Sequence, residues 1–148
     1  MYRAHAPSEI RKETILMSKR KKDRYYTKHL AICQGDVLLI NFGKHTAGCR
    51  TDGIRPCVVV SNDASIHAET GFFVVPLYRN PSRSANREDI LIRPVDCRGL
   101  RYEEYAQPMN MTLCHKCRVI RKVGHIKNET IISGIANALW SLVGQDAG

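Results

Sequence analysis

Gly53-Ile54-Arg55-Pro56-Cys57-Val58-Val59-Val60-Ser61-Asn62-Asp63 holds a turn glycine, a lone arginine, a proline and a run of β-branched residues that breaks at an Asn-Asp turn. Pro56 suits the first residue of a strand, where a missing N–H does least harm, and Cys57 to Val60 read as a strand buried on both faces. Arg55 therefore stands at the mouth of a rigid strand. Fixed there, it is a surface charge, a salt-bridge partner or an anion-binding group, and functional groups are favoured on loops carried by rigid scaffolds.

Working outward, Lys44 to Asp52 is polar and free of period, a loop of about nine residues where roughly 4–6 is usual. A long loop beside a fixed arginine is a natural place for a ligand. Before it, Gln34-Gly35-Asp36 opens Val37 to Phe42, a strand that ends at Gly43. After the organising strand, a polar connection from Asn62 to Gly71 leads to Phe72 to Leu77, a third apolar strand. Together these predict a core of short antiparallel strands.

From Tyr78 to Glu88 the chain turns basic, with Arg79, Arg83 and Arg87 and no acid before Glu88, which reads as a flexible loop. Asp89 to Pro94 alternates as a strand would, and Asp96 to Gly99 turns it. Tyr102 to Thr112 holds a further strand interrupted by Pro108, and Arg118 to Ile126 a helical turn followed by an edge strand. Asn128 caps a helix in which Ile131, Ile132, Ile135, Ala138, Leu139, Leu142 and Val143 recur at helical spacing, with Gly144 placed to end it. One amphipathic helix is thus expected to cover the sheet, with Gly134 at a close approach and Trp140, at the edge of the stripe, anchoring it in the core.

The 148 residues suit one domain, and 43% hydrophobic with 25% charged residues suits a soluble globular protein. The longest apolar runs are too short for a membrane span, and the charged N-terminus lacks the apolar centre of a secretory signal, so the expected compartment is the cytoplasm and the six cysteines are expected as reduced thiols. The net charge of +9 is unevenly placed: residues 1–33 hold 9 Lys/Arg against 3 Asp/Glu. They read as a basic, mostly mobile arm that attracts phosphate backbones, with 34–148 as the folded domain. Met17-Ser18-Lys19 would also serve as a start, and Tyr25 and Tyr26 could stack on bases.

Cys114-His115-Lys116-Cys117 has the inner spacing of a zinc knuckle, but no second pair matches it, and Cys97, Cys33 or His125 would have to complete a site in space. Neither a metal nor a cofactor is expected. A Gly-rich phosphate loop, a Gly-x-Ser-x-Gly elbow and a His-Glu-x-x-His pair are all missing from the sequence. What remains is Arg55, the arginines from 79 to 87, and the hydroxyls of Tyr78, Ser82 and Ser84 at the ends of neighbouring strands. Such a groove suits an anionic polymer. Metal-free RNA cleavage needs a base for the 2′-hydroxyl, a donor for the leaving oxygen and cations on the phosphate, since the nucleophile belongs to the substrate.

Gly35-Asp36-Val37, Gly53-x-Arg55-Pro56-x-Val58-Val59-Val60-x-Asn62-Asp63 and Val74-Val75-Pro76-Leu77 together resemble the MazF/PemK family of toxins from bacterial toxin–antitoxin pairs, from about residue 34 to 143. The resemblance implies an SH3-like antiparallel β-barrel with a C-terminal α-helix, of the α+β class shared with CcdB. It also implies a homodimer, sequence-selective cleavage of single-stranded RNA without metal, an antitoxin whose acidic tail blocks the groove, and binding of the pair to operator DNA. Arg55 falls on the family's catalytic arginine. The family threonine after the third strand is Tyr78 here, with Ser82 and Ser84 as substitutes, and the family acid before a glutamine is Ala106. Glu103, Glu104 and Tyr105 lie close by but out of register, and the resemblance returns at Lys116-x-Arg118-Val119 and Lys122 to Ile126.

The expected site is therefore Arg55 with Tyr78 or Ser82 in catalysis, and Arg79, Arg83, Arg87, Lys44 and Arg50 on RNA. The departures at Tyr78 and Ala106 keep a rival open, a non-catalytic nucleic-acid- or protein-binding module on the same fold. A third reading, a topoisomerase poison like CcdB, leans on Trp140 near the C-terminus.

Overall fold

The computed structural model describes residues 30–44, 53–68, 71–79 and 88–144. Three central strands, β1 (Asp36–Asn41), β2 (Ile54–Val59) and β3 (Gly71–Tyr78), pair antiparallel in sequence order. Their registers set Val37 opposite Val58, Cys57 opposite Pro76 and Val58 opposite Val75. Four more strands follow: β4 (Ile90–Ile92), β5 (Glu104–Ala106), β6 (Thr112–His115) and β7 (Val119–His125). The sheet runs β4-β5-β3-β2-β1-β7, with β6 on β3 beside β5. It curls in the barrel-like manner expected but stays open, with β4 and β7 at its ends. Two register shifts between β1 and β7, at Val37/Leu38 and Leu39/Ile40, are β-bulges, which add twist.

Successive residues of a strand face opposite ways, and here both faces are covered. Val37, Leu39, Val58, Val75 and Leu77 enter one core, closed by Ile131 and Ile135 of α2 (Glu129–Val143). Leu38, Ile40, Cys57, Val59, Phe72 and Val74 enter a second, closed by Ile32 and by Ile66 of α1 (Asp63–Ala68). This is why β1 to β3 read as unbroken apolar runs.

The polar connection from Asn62 to Gly71 holds α1. Asn62 Oδ1 accepts the Ser65 N–H at 2.8 Å, and among the described side chains of α1 Ile66 is the buried one, too little apolar content for a helical period. The expected strand from Tyr102 to Thr112 is two strands, β5 and β6, parted by a 3-10 turn at Pro108–Asn110. Cap and length of α2 follow the sequence: Asn128 Oδ1 accepts the Thr130 N–H at 3.0 Å. Trp140 does not anchor it. Two residues beyond buried Ala138, Trp140 lies about 200° around the helix and is 72% exposed, with Leu142 and Val143 also exposed in the last turn.

Candidate active site

Arg55 lies inside β2 rather than at its mouth. The strand begins at Ile54, and Pro56, expected as its first residue, is its third and pairs with Leu39, because the pairing with β1 runs on past the proline to Ile54. β1 ends in Gly43 and β2 is entered through Gly53, both at positive φ (76° and 67°) that glycine adopts without strain. Phe42 N–H donates to Gly53 O and Gly53 N–H to Gly43 O, each at 2.8 Å, so the long loop leaves the sheet through a pinned neck. Exposed Lys44 stands at that neck. Arg55 follows two residues after Gly53, opposite Ile40 of β1.

The register that sets Cys57 against Pro76 carries Arg55 opposite Tyr78, and the Arg55 Cζ lies 4.6 Å from the Tyr78 ring centroid. One residue on, Arg79 Cζ lies 3.8 Å above the ring of Tyr102. A guanidinium stacked on a ring presents its face to the aromatic quadrupole and keeps its N–H edge for a phosphate oxygen. Two arginines are thus each held by an aromatic residue at one end of the sheet. Arg118 joins that end, its Nη1 donating to Asn41 O at 3.4 Å.

Tyr78 pairs with Tyr105 of β5, and Leu77 with Ala106, which is buried in the core. Two residues before Ala106, on the same face of β5, is Glu104, opposite Ile92 of β4 and 0% exposed. Among the described residues, neither of its carboxylate oxygens has a hydrogen-bond partner. Burial pushes its carboxyl up to about 8, and positive charges, Arg79 and then Arg55 among them, hold the rise back. A buried acid without partners is costly, and such groups gather at functional sites.

Next to it, buried Gln107 takes up polar contacts: Nε2 donates to Asp89 Oδ2 at 3.4 Å, and Oε1 accepts from Asn110 Nδ2 at 2.8 Å. Of the sequence-predicted site, Arg55, Tyr78 and Arg79 come together and Lys44 stands at the loop neck. Ser82, Arg83, Arg87 and Arg50 lie outside the described residues, as do Ser84 and the arm up to residue 29. Tyr102 was not singled out from the sequence, and Arg118 and Glu104 were noted there without a site role. Pairing distances of about 25 residues between Arg79 and its neighbours on β5 leave no local signal.

The zinc-knuckle cysteines fall elsewhere. Cys114 is buried in the second core, where burial pushes its thiol up to about 12, and Cys117 is exposed. The group of potential metal-ligand atoms among the described residues is instead Cys33, Asp36 and His125, within 4.8 Å of one another. Asp36 there is already engaged, by Lys122 Nζ at 2.9 Å, His125 Nδ1 at 2.8 Å and the Cys33 N–H at 2.9 Å. Burial opposes its charge, but these donors outweigh burial and hold the carboxyl below its ordinary range. A metal ion would have to displace the Lys122 ammonium, so the cluster fits an ion-pair clamp better. A cleft of about 620 Å³ between α1 and β3–β6, lined by Asn62, Phe73 and Leu113 among others, does not include Arg55.

A family model of PemK-like, MazF-like toxins of type II toxin–antitoxin systems matches residues 33–139. The chain belongs to that family. As a PemK/MazF-like toxin it also shares the fold of solved relatives. One is an endoribonuclease in complex with its cognate antitoxin from Mycobacterial species, with TM-score 0.61 and 21% identity over 77% of this chain and 96% of that one. A second is MazF from Deinococcus radiodurans, with TM-score 0.65 and 14% identity over 78% and 99%. A third is the Mycobacterium tuberculosis toxin MazF-mt6, with TM-score 0.56 and 13% identity over 72% and 93%. No curated protein sequence matches the chain. No helix among the described residues is long and apolar enough to cross a membrane.

Proposed function

We propose that this PemK/MazF-like toxin is an endoribonuclease that cuts single-stranded RNA at selected sequences and leaves a 2′,3′-cyclic phosphate. The observation that carries the reading is Arg55 held at 4.6 Å over Tyr78, with Arg79 on the next residue of the same strand end. The substrate's 2′-hydroxyl loses its proton to water and its oxygen attacks the adjacent phosphorus, while the bond to the 5′-oxygen of the next nucleotide breaks and that oxygen leaves with a proton from the Tyr78 hydroxyl, which water restores. Negative charge builds on the phosphoryl oxygens, and a pre-positioned guanidinium stabilises it without reorganising. Arg55 and Tyr78 are the catalytic residues in this scheme, and the Tyr78 ring also fixes the orientation of Arg55. Arg79, with Lys44 at the neck and Arg50, Arg83 and Arg87 beyond it, guides the RNA backbone, and Ser82 supplies a further hydroxyl. No step calls for a metal, because the nucleophile is the substrate's own and the cations are arginines.

The partners that go with this activity are a second copy of the chain and a cognate antitoxin whose acidic tail competes with RNA for the arginines, the pair acting in the cytoplasm and on operator DNA. The mycobacterial relative with an antitoxin bound supports the antitoxin partner. The test is Arg55→Ala incubated with a mixed pool of single-stranded RNA. Cleavage should fall by about 100-fold or more while the far-UV spectrum stays unchanged, and cutting that persists at the wild-type rate would remove Arg55 from the mechanism. A second reading, a binding module without catalysis, is favoured by Ala106, a buried methyl group at the position where the family resemblance implies an acid in some members. Wild-type protein that binds RNA and leaves it whole would decide for that one.

A further inference from the structure

Glu104 is the buried group that the proposed chemistry leaves unused, and its surroundings assign it a task. From β5 it faces Ile92 of β4, and the register of β5 with β3, continued by one residue, puts it beside Arg79. Arg79 is stacked on Tyr102, two residues before Glu104, and Arg55 is stacked on Tyr78, one residue before Arg79. The arginines and the acid are therefore linked through two aromatic rings and one strand pair. The titratable groups acting on one another here are Arg79 just past β3, Arg55 and Cys57 from β2, and Cys97 from the turn after β4. Fully buried, the acid cannot touch RNA; it acts through the guanidinium groups.

We propose that Glu104 is a positioning residue that sets the positive field of the phosphate site. As the neutral acid it leaves the field of Arg55 and Arg79 undiminished for an RNA phosphodiester, and as the carboxylate it cancels one charge of that field and draws the guanidinium groups inward. The inference rests on the endoribonuclease reading above and adds to it a proton-controlled affinity for the RNA backbone. Since the carboxyl sits at about 8, the neutral form prevails at neutral pH and the carboxylate takes over just above it. Linkage makes the coupling reciprocal: a bound phosphate favours the neutral acid, so RNA binding draws in a proton.

The experiment measures the dissociation constant of an RNA oligonucleotide, made uncleavable by 2′-O-methyl groups, by fluorescence anisotropy between pH 7 and 9, for wild type and Glu104→Gln. If only the neutral form binds, wild-type affinity should weaken by about tenfold over that range relative to the variant, because about one tenth of the acid remains protonated at the upper end. Equal pH dependence in the two proteins would overturn the proposal. Should the variant fail to fold, calorimetry of wild type in two buffers of different ionisation enthalpy gives a second readout, with about half a proton taken up per chain at pH 8 expected and zero uptake overturning the idea. Wild type that binds RNA at no pH would instead overturn the nuclease reading, and the gate with it.

Discussion

Replacing Glu104 with glutamine should make the protein more stable at neutral pH, by an amount that the burial of this one carboxyl fixes. In the unfolded chain the carboxyl titrates near its ordinary value of 4.5, whereas in the fold it titrates at about 8. Between those values the unfolded chain has lost the proton and the folded chain keeps it, so rising pH favours unfolding. The stabilising share is complete below 4.5 and is gone once the pH has risen through about 8. Each pH unit in that window costs wild type about 1.4 kcal/mol, so from pH 4.5 to 7 it should lose about 3 kcal/mol relative to the variant. All other carboxylates titrate alike in the two proteins and cancel in the difference. Urea unfolding of both at a series of pH values across the window measures it. The two should lie within about 1 kcal/mol of each other at the acid end, since a neutral buried amide replaces a neutral buried acid, and diverge as the pH rises. Stability curves that stay parallel would refute the claim that Glu104 is held protonated, and with it the charge gate on the arginines.

Asp36→Asn should destabilise the fold by about 1–3 kcal/mol in urea at neutral pH, because the Cys33 N–H, Lys122 and His125 lose a buried carboxylate acceptor, while Lys122, itself exposed, regains water. That deficit should shrink as the pH falls below the ordinary aspartate value of 3.8 and through the lower folded one, where wild type loses the same charge. Two glycines should respond to alanine in the same direction but to different degrees: at Gly99 the new Cβ would lie 1.8 Å from Val123 O, whereas at Gly53 it meets nothing within 4 Å and only the φ of 67° is strained. Thermal unfolding should register about 3 kcal/mol or more for Gly99→Ala and about 1 kcal/mol for Gly53→Ala. Tyr102→Ala should weaken RNA binding about three- to tenfold by freeing Arg79, and Tyr102→Phe should restore it, because the stack needs the ring and not the hydroxyl; equal losses in both variants, read by anisotropy, would point to the hydroxyl instead.

How far the sequence carries this reading varies with the kind of signal. β1 to β3 are legible because each is covered on both faces, so nearly every residue is apolar and no alternation has to be guessed. α2 is legible from its cap and period, yet the period does not say where the sheet beneath it ends. Trp140 and Val143 therefore stand in solvent although they look like core. Arg55 could be placed near the start of β2 from the turn at Gly53, although the strand begins at Ile54 and not at Pro56, while Tyr102 and Glu104 reach Arg79 through pairings some 25 residues away in sequence. Glu103 and Glu104 illustrate the limit. They are adjacent and chemically alike, and the parity of a three-residue strand alone sends one to solvent and the other into the core.

The pair of glycines at the loop neck separates the strands that carry Arg55 from changes in the length of the segment between them. With Phe42, Gly43 and Gly53 bonded across the base, residues added between 44 and 52 enlarge a ring already closed at its neck, at about 0.6 kcal/mol per doubling of its length. A lineage carrying this neck is free to rewrite the segment by insertion, deletion or recombination while the arginine behind it keeps its place.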